Sequence, residues 1–369
     1  MTEEFKTCND PRKGLVALLH HPDILADWQR GFVRVPAYAN VSVTSACRHR
    51  CIYCFSQWLR RPTSMDRILL LRICHDLAAA GVRTVEFEGV GEPLLNQHLP
   101  EGLEALDGVE NVCLVTTGAL MTEKFIERVF PRLSFCRFSS LELTPKEYGM
   151  VHGAGNALDW HKVCDAIRMA RAVIDRDKLK CKITVTTCLL PHHQEGGTLR
   201  ALAELCRTLG AHSWQLKIAD RMHHNKDQKW DDVDDSKMVG EFNVARGEAK
   251  DGFNVVIRTD YMEVAKKLKE HKNYPVCLAA GSLYIHVDDD GKIYPCYSHM
   301  RSEHVMGDLA LNDMRTIWAS DEYGLALNRF KRLCDPTICR QASNECSSWL
   351  SPNRILDELR NPKYGARVL

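Results

Sequence analysis

Along the middle of the chain, hydrophobic positions recur with two periods, one of two residues and one near 3.6. The period-two and short apolar runs predict strands at 40–46, 84–91, 111–118, 135–141, 180–190 and 212–220. Between them, helical periodicity predicts helices at 64–81, 122–130, 159–174 and 198–210. Ser64 is placed as an N-cap of the first and Gly81 as its stop. Six strands separated by helices imply a parallel sheet with right-handed crossovers, one that can close partway into a (β/α)6 barrel. In such folds chemistry collects at the C-terminal ends of the strands. Residues 221–240 are polar and read as a loop leading into a helix, and 263–275 as a linker helix. The pattern then changes to a β-hairpin, "SLYIHVDDDGKIYPCYSH", with "DDDG" as its turn. The expected organisation is an N-terminal extension (1–38), a barrel (39–262), a small α+β domain (263–349) and a C-terminal tail (350–369).

Composition narrows the function classes. The 369 residues are 45% hydrophobic and 26% charged, and the net charge of +1 gives no bulk electrostatic case for nucleic acid or membrane binding. No apolar run approaches the roughly 20 residues of a membrane span. The N-terminal "MTEEFKTCNDPRKG" lacks the apolar stretch of a signal peptide. The 16 cysteines are unusual. Without a signal peptide, and in a chain this long, a disulfide framework is a poor explanation, and thiolates bound to metal in a reducing cytoplasm fit better. Cys74, Cys164 and Cys206 fall in apolar helical stretches and read as small buried hydrophobes.

Chemistry enters with "CRHRCIYCF", which places Cys47, Cys51 and Cys54 just after the first strand. A structural zinc site closes with four ligands, usually two distant pairs. In a [4Fe–4S] cube each iron takes one outer ligand, so three thiolates leave one iron open. This C-x3-C-x2-C loop, with aromatic Tyr53 before the third cysteine, resembles the signature of radical S-adenosylmethionine (SAM) enzymes. The resemblance implies that SAM chelates the open iron through its amino and carboxylate groups and is cleaved by an electron to a 5′-deoxyadenosyl radical. It also implies a donor for that electron, such as flavodoxin or ferredoxin. It extends to "GVGEP" at the end of the second strand, where Gly89, Gly91 and Glu92 inherit the binding of the SAM amino group. "TTG" ends the third strand and adds Thr117. Ser139, ending the fourth, aligns with a serine that contacts the SAM carboxylate or ribose. The resemblance covers about residues 38–220.

A second group comprises Cys277, Cys296, Cys334, Cys339 and Cys346. The C-x13-G-x4-C run from Cys277 to Cys296 resembles the opening of SPASM and twitch extensions, which hold auxiliary [4Fe–4S] clusters. Five cysteines are too few for two fully ligated cubes, which need eight, so one auxiliary cluster is expected. Its ligands are Cys277, Cys296 and Cys334, with either Cys339 or Cys346 as the fourth. A zinc site is the alternative.

Strand alternation turns Val85, Phe87, Trp214, Leu216 and Ile218 outward and Glu86, Glu88, Gln215 and Lys217 into the lumen. Thr184, Thr186 and Cys188 share a face, as do Arg137 and Ser139. So polar a lumen suits a hydroxylated, amine-bearing small molecule of sugar, aminocyclitol or aminoglycoside type. Fewer than 40 residues precede the first strand, too few for the peptide-binding domain common among peptide-modifying relatives. The expected function is hydrogen-atom abstraction followed by dehydrogenation. Glu88 is assigned to hold substrate, Lys217 or a lumen carboxylate to act as base, and Cys188 to donate hydrogen in an alternative epimerisation. Dehydration, peptide modification and a non-catalytic iron–sulfur redox protein are the other readings.

Overall fold

The computed structural model describes residues 35–54, 56–194, 196–218, 235–257, 277 and 280–333, together with Asp23 and Ala26. Seven parallel strands follow one another in chain order: β1 (Tyr38–Val41), β2 (Thr84–Phe87), β3 (Asn111–Thr116), β4 (Phe135–Phe138), β5 (Lys182–Leu189), β6 (Ser213–Ile218) and β7 (Asn254–Ile257). The crossovers carry α1 (Arg67–Ala80), α2 (Leu99–Glu104), α3 (Glu123–Val129), α4 (Pro145–His152), α5 (Asp159–Asp177), α6 (Thr198–Thr208) and α7 (Asp235–Arg246). This is the expected partial barrel, with β7 added beyond the six anticipated strands.

The expected hairpin forms as β8 (Tyr284–Val287) and β9 (Lys292–Tyr294), paired antiparallel, and β10 (Gly307–Asp308) follows. Two further helices close the described part, α8 (Met314–Ala319) and α9 (Asp321–Leu333). The hairpin does not form a sheet of its own. β8 pairs in parallel with β1, in register Tyr38↔Tyr284 to Val41↔Val287, so one sheet runs in the order β10-β9-β8-β1-β2-β3-β4-β5-β6-β7. The rings of Tyr38 and Tyr284 stack at the start of that junction, 5.2 Å apart.

The outward faces behave as the alternation requires. Val85, Phe87, Leu114, Phe138, Val185, Trp214 and Leu216 lie in one apolar core with Ile73 and Leu77 of α1, Ile126 of α3, Ile167 of α5 and Leu202 of α6. Each such side chain contributes about 1.5–3 kcal/mol when fully buried. Cys74, Cys164 and Cys206 belong to this core, as expected for small hydrophobes. Helix ends follow local chemistry. Gly81 ends α1 in the left-handed region at φ 92°, but the N-cap is Asp66, which accepts from Leu69 N–H at 2.9 Å, not Ser64. A carboxylate two residues nearer the apolar run takes the role, and Ser64 accepts from Asn96 instead, at 3.1 Å. Helix α4, not anticipated, is started by a capping box between Thr144 and Glu147. The expected linker helix at 263–275 lies outside the described residues.

Candidate active site

The cysteine loop leaves the C-terminal end of β1 and is held from three sides. Backbone N–H groups of Arg50 and Ile52 donate to the carbonyls of His152 and Val151, each at 2.9 Å, so the last turn of α4 finds its acceptors' partners in the loop. Asp159, the first residue of α5, accepts from Arg48 at 3.3 Å and His49 at 3.2 Å. From the hairpin side, Asp289 accepts from Ser45 N–H at 3.0 Å and the Thr63 hydroxyl at 2.7 Å, and Arg61 reaches Asp288 at 2.5 Å and Asp289 at 3.2 Å.

Why "GVGEP" carries glycines follows from the same packing. Gly91 N–H donates to Thr44 O at 3.0 Å and Glu92 N–H to Ala46 O at 2.8 Å, which lays the motif directly on the run into Cys47. A Cβ at Gly91 would stand 2.2 Å from Ala46 O, and one at Gly89 would stand 2.1 Å from Ser42 Oγ. The Glu92 carboxylate is buried. It accepts from the Thr116 hydroxyl, from Thr117 N–H at 2.8 Å and from Leu94 N–H at 3.2 Å, and so ties the second strand end to the third.

The three thiols lie within electrostatic reach of one another and of Arg60. Burial pushes the Cys47 and Cys51 thiols up, and Arg60 opposes it at both. Arg60 donates to Cys54 Sγ at 3.3 Å, and its other terminal nitrogen is anchored on His49 O. Three convergent thiols beside a guanidinium, with a glycine-lined approach, fit a cluster held by three thiolates. Sequence reasoning missed two groups here. His152 is fully buried, with Nε2 on Ser140 O at 2.7 Å and Nδ1 on Cys51 Sγ at 3.1 Å. A carbonyl only accepts, so Nε2 carries the proton, and the Nδ1 lone pair accepts from the sulfur only while Cys51 is a thiol, before it becomes a cluster thiolate. Burial, then neighbouring His49, pushes this imidazole down to about 4 and keeps it neutral. Ser140, at φ 50°, hydrogen-bonds the Tyr53 side chain, whereas Ser139 lies beside it with its N–H on Thr116 O at 2.8 Å. No sequence signal marks His152, since it is brought to Cys51 only by the packing of α4.

Glu86 is buried and accepts from the Tyr38 hydroxyl. Arg137, 5% exposed, is paired at 2.6 Å with Glu88, which is 35% exposed. Cys188 and Lys217 are register partners on β5 and β6, and Cys188 packs against Val151 and Leu190, as do Ile52 and Tyr53 of the cysteine loop. In the C-terminal lobe Cys277 and Cys296 come together with Ala280 and Phe330. Cys334, Cys339 and Cys346 lie outside the described residues.

Comparison with known proteins finds two known domains in the chain. The model of the radical SAM superfamily matches residues 41–206, and that of the SPASM iron–sulfur cluster-binding domain matches 277–347. The GTP 3′,8-cyclase of Chlorobaculum tepidum is 37% identical over 94 residues, 24% of this chain and 28% of that protein. That of Pseudomonas savastanoi pv. phaseolicola is 28% identical over 159 residues, 41% and 47% of the two chains. The chain thus spans less than half the length of these relatives. Among solved structures, Streptococcus suis SuiB superposes with a TM-score of 0.61 at 14% identity, covering 84% of this chain and 72% of SuiB. Native anSMEcpe with bound AdoMet gives 0.56 at 15% identity, covering 87% and 94%. Both likenesses concern the fold. The chain carries a radical SAM domain followed by a C-terminal SPASM iron–sulfur domain, and the two imply a SAM-binding [4Fe–4S] cluster and an auxiliary cluster.

Proposed function

We propose that the enzyme abstracts a hydrogen atom from a polar small molecule of sugar, aminocyclitol or aminoglycoside type and releases the dehydrogenated product. The Glu88–Arg137 pair carries this reading. A half-exposed carboxylate, held by a buried guanidinium one residue before the glycine motif, is a recognition group for an ammonium or hydroxyl. Glu86, Thr184, Thr186 and Gln215 are buried polar groups of neighbouring strands and extend the same polar lining. When bound, the first cluster and SAM supply the hydrogen-abstracting radical, with the electron coming from a flavodoxin- or ferredoxin-type donor. The chain's own residues then govern the outcome. Oxidation of a carbinol radical forms a C=O bond as the hydroxyl proton passes to a base and one electron leaves to an oxidised iron–sulfur acceptor. Cys277 and Cys296 would hold that acceptor, with Cys334 and either Cys339 or Cys346 completing its ligands.

Epimerisation is the second reading, favoured by Cys188 lying within electrostatic reach of Tyr53 and packing on the same Val151–Leu190 cluster, which puts a thiol hydrogen donor near the cysteine loop. Lys217, beside Cys188, would serve as base in the first reading. The test is anaerobic turnover with SAM and dithionite over a panel of amino sugars and aminocyclitols in D2O. A product two hydrogens lighter, insensitive to Cys188→Ala, supports dehydrogenation. A product of unchanged composition carrying one fixed deuterium, lost in Cys188→Ala, replaces it with epimerisation.

A further inference from the structure

At the C-terminal ends of β4 and β5, three side chains converge that neither cluster uses. Glu142 is fully buried. Its Oε2 lies 2.8 Å from His193 Nε2 and 3.2 Å from His192 Nε2. Its Oε1 is buried with no hydrogen-bond partner. Two histidines and a carboxylate are a common cation set, but the proton positions here speak against a metal. His193 Nδ1 accepts the Leu190 N–H at 3.0 Å, so the neutral ring carries its proton on Nε2 and donates it to Glu142. A metal on that nitrogen would require the proton on Nδ1, facing another N–H. A carboxylate only accepts, so His192 Nε2 also donates. That leaves the lone pair of His192 on Nδ1, on a ring 28% exposed and with no hydrogen bond to that atom among the described residues. Burial alone would favour a protonated Glu142, yet the hydrogen bonds from the two imidazoles outweigh it and hold the carboxyl below its ordinary value.

We infer that Glu142 and His192 form an acid–base dyad at the barrel mouth, with His192 Nδ1 as the atom that takes a proton from a substrate hydroxyl. The dyad lies on the loops that pack against the cysteine loop. Glu142 follows Ser140, which bonds His152 and the Tyr53 side chain. His192 follows Leu190, which packs with Tyr53, Ile52 and Cys188. An imidazole in this tautomer presents a ring lone pair, whereas an ammonium group has none. His192 is therefore better suited than Lys217 to accept the hydroxyl proton during oxidation of the carbinol radical. The electron again leaves to the oxidised iron–sulfur acceptor. This assignment rests on the dehydrogenation reading.

Two measurements on the anaerobically reconstituted full chain with SAM test it separately from that reading. Carbethoxylation by diethyl pyrocarbonate, mapped by mass spectrometry, reads the Nδ1 lone pair directly. His192 is expected to be modified several-fold more slowly in Glu142→Gln, whose amide N–H favours the other tautomer. With any panel compound that is turned over, His192→Gln is expected to lower the product formed per 5′-deoxyadenosine released by about a hundredfold. An unreactive His192 in the unaltered chain would overturn the dyad, as would an unchanged product ratio in His192→Gln. Stoichiometric Co2+ binding abolished by His193→Ala would also overturn it, because it demands the opposite tautomer. If no panel compound reacts, the dehydrogenation reading fails, while the diethyl pyrocarbonate result still decides the dyad.

Discussion

A single methyl group at position 91 would meet the Ala46 carbonyl, and that carbonyl belongs to the backbone that leads into Cys47. Gly91→Ala is therefore expected to displace the cysteine loop, not merely to strain a turn. Iron and sulfide assays of the reconstituted chain should fall from about eight irons toward about four, with the auxiliary site still filled. The triple variant Cys47→Ala, Cys51→Ala, Cys54→Ala should give the same half-loading and no 5′-deoxyadenosine, and full loading in either case would refute the assignment. Glu88→Gln keeps the shape and removes the charge that faces Arg137. Product formed per 5′-deoxyadenosine is expected to drop at least about tenfold, and an unaltered ratio would remove Glu88 from substrate binding. The three cysteines could be read in the sequence because their spacing is itself the chemistry. Arg60, His152 and Glu142 could not, because their roles depend on which atom of another element they meet.

Helix α4 makes the cysteine loop depend on an ordinary piece of capping. Its Thr144–Glu147 box starts the helix, and its final carbonyls receive the loop's N–H groups. Thr144→Ala should cost about 1 kcal/mol, visible in thermal unfolding, and should speed cluster loss on warming. A normal rate of cluster loss would show that the loop does not need the helix. The box is present in the sequence as "TPKE", but eight residues without strong periodicity did not announce a helix. The β8–β9 turn is a second such element. Burial, then the neighbouring Asp289, raises Asp288 to about 6. A carboxyl raised on folding contributes stability that is complete below its unfolded value, near 4, and is lost as pH rises through about 6. Hence the melting temperature of Asp288→Asn relative to the unaltered chain should rise between pH 5 and pH 7.5. A difference that stays flat across that window would show that Arg61 fully offsets the charge.

At the scale of the molecule, strand order up to β6 was legible because each strand in turn pairs with the next, and short crossovers leave few other topologies. The β8–β1 pairing was not, since it joins segments more than 240 residues apart through backbone groups that any sequence offers. That pairing has a practical consequence for dissection. Ending the chain before residue 277 would strip the neighbour from Tyr38–Val41, whose Ala39, Asn40 and Val41 are buried, and turn a central strand into an open edge. Unpaired apolar edges recruit other chains. A barrel expressed alone should therefore emerge from size-exclusion chromatography as soluble aggregate, and exchanging the C-terminal lobe between related enzymes would demand that the incoming β8 keep the length and register that β1 pairs with.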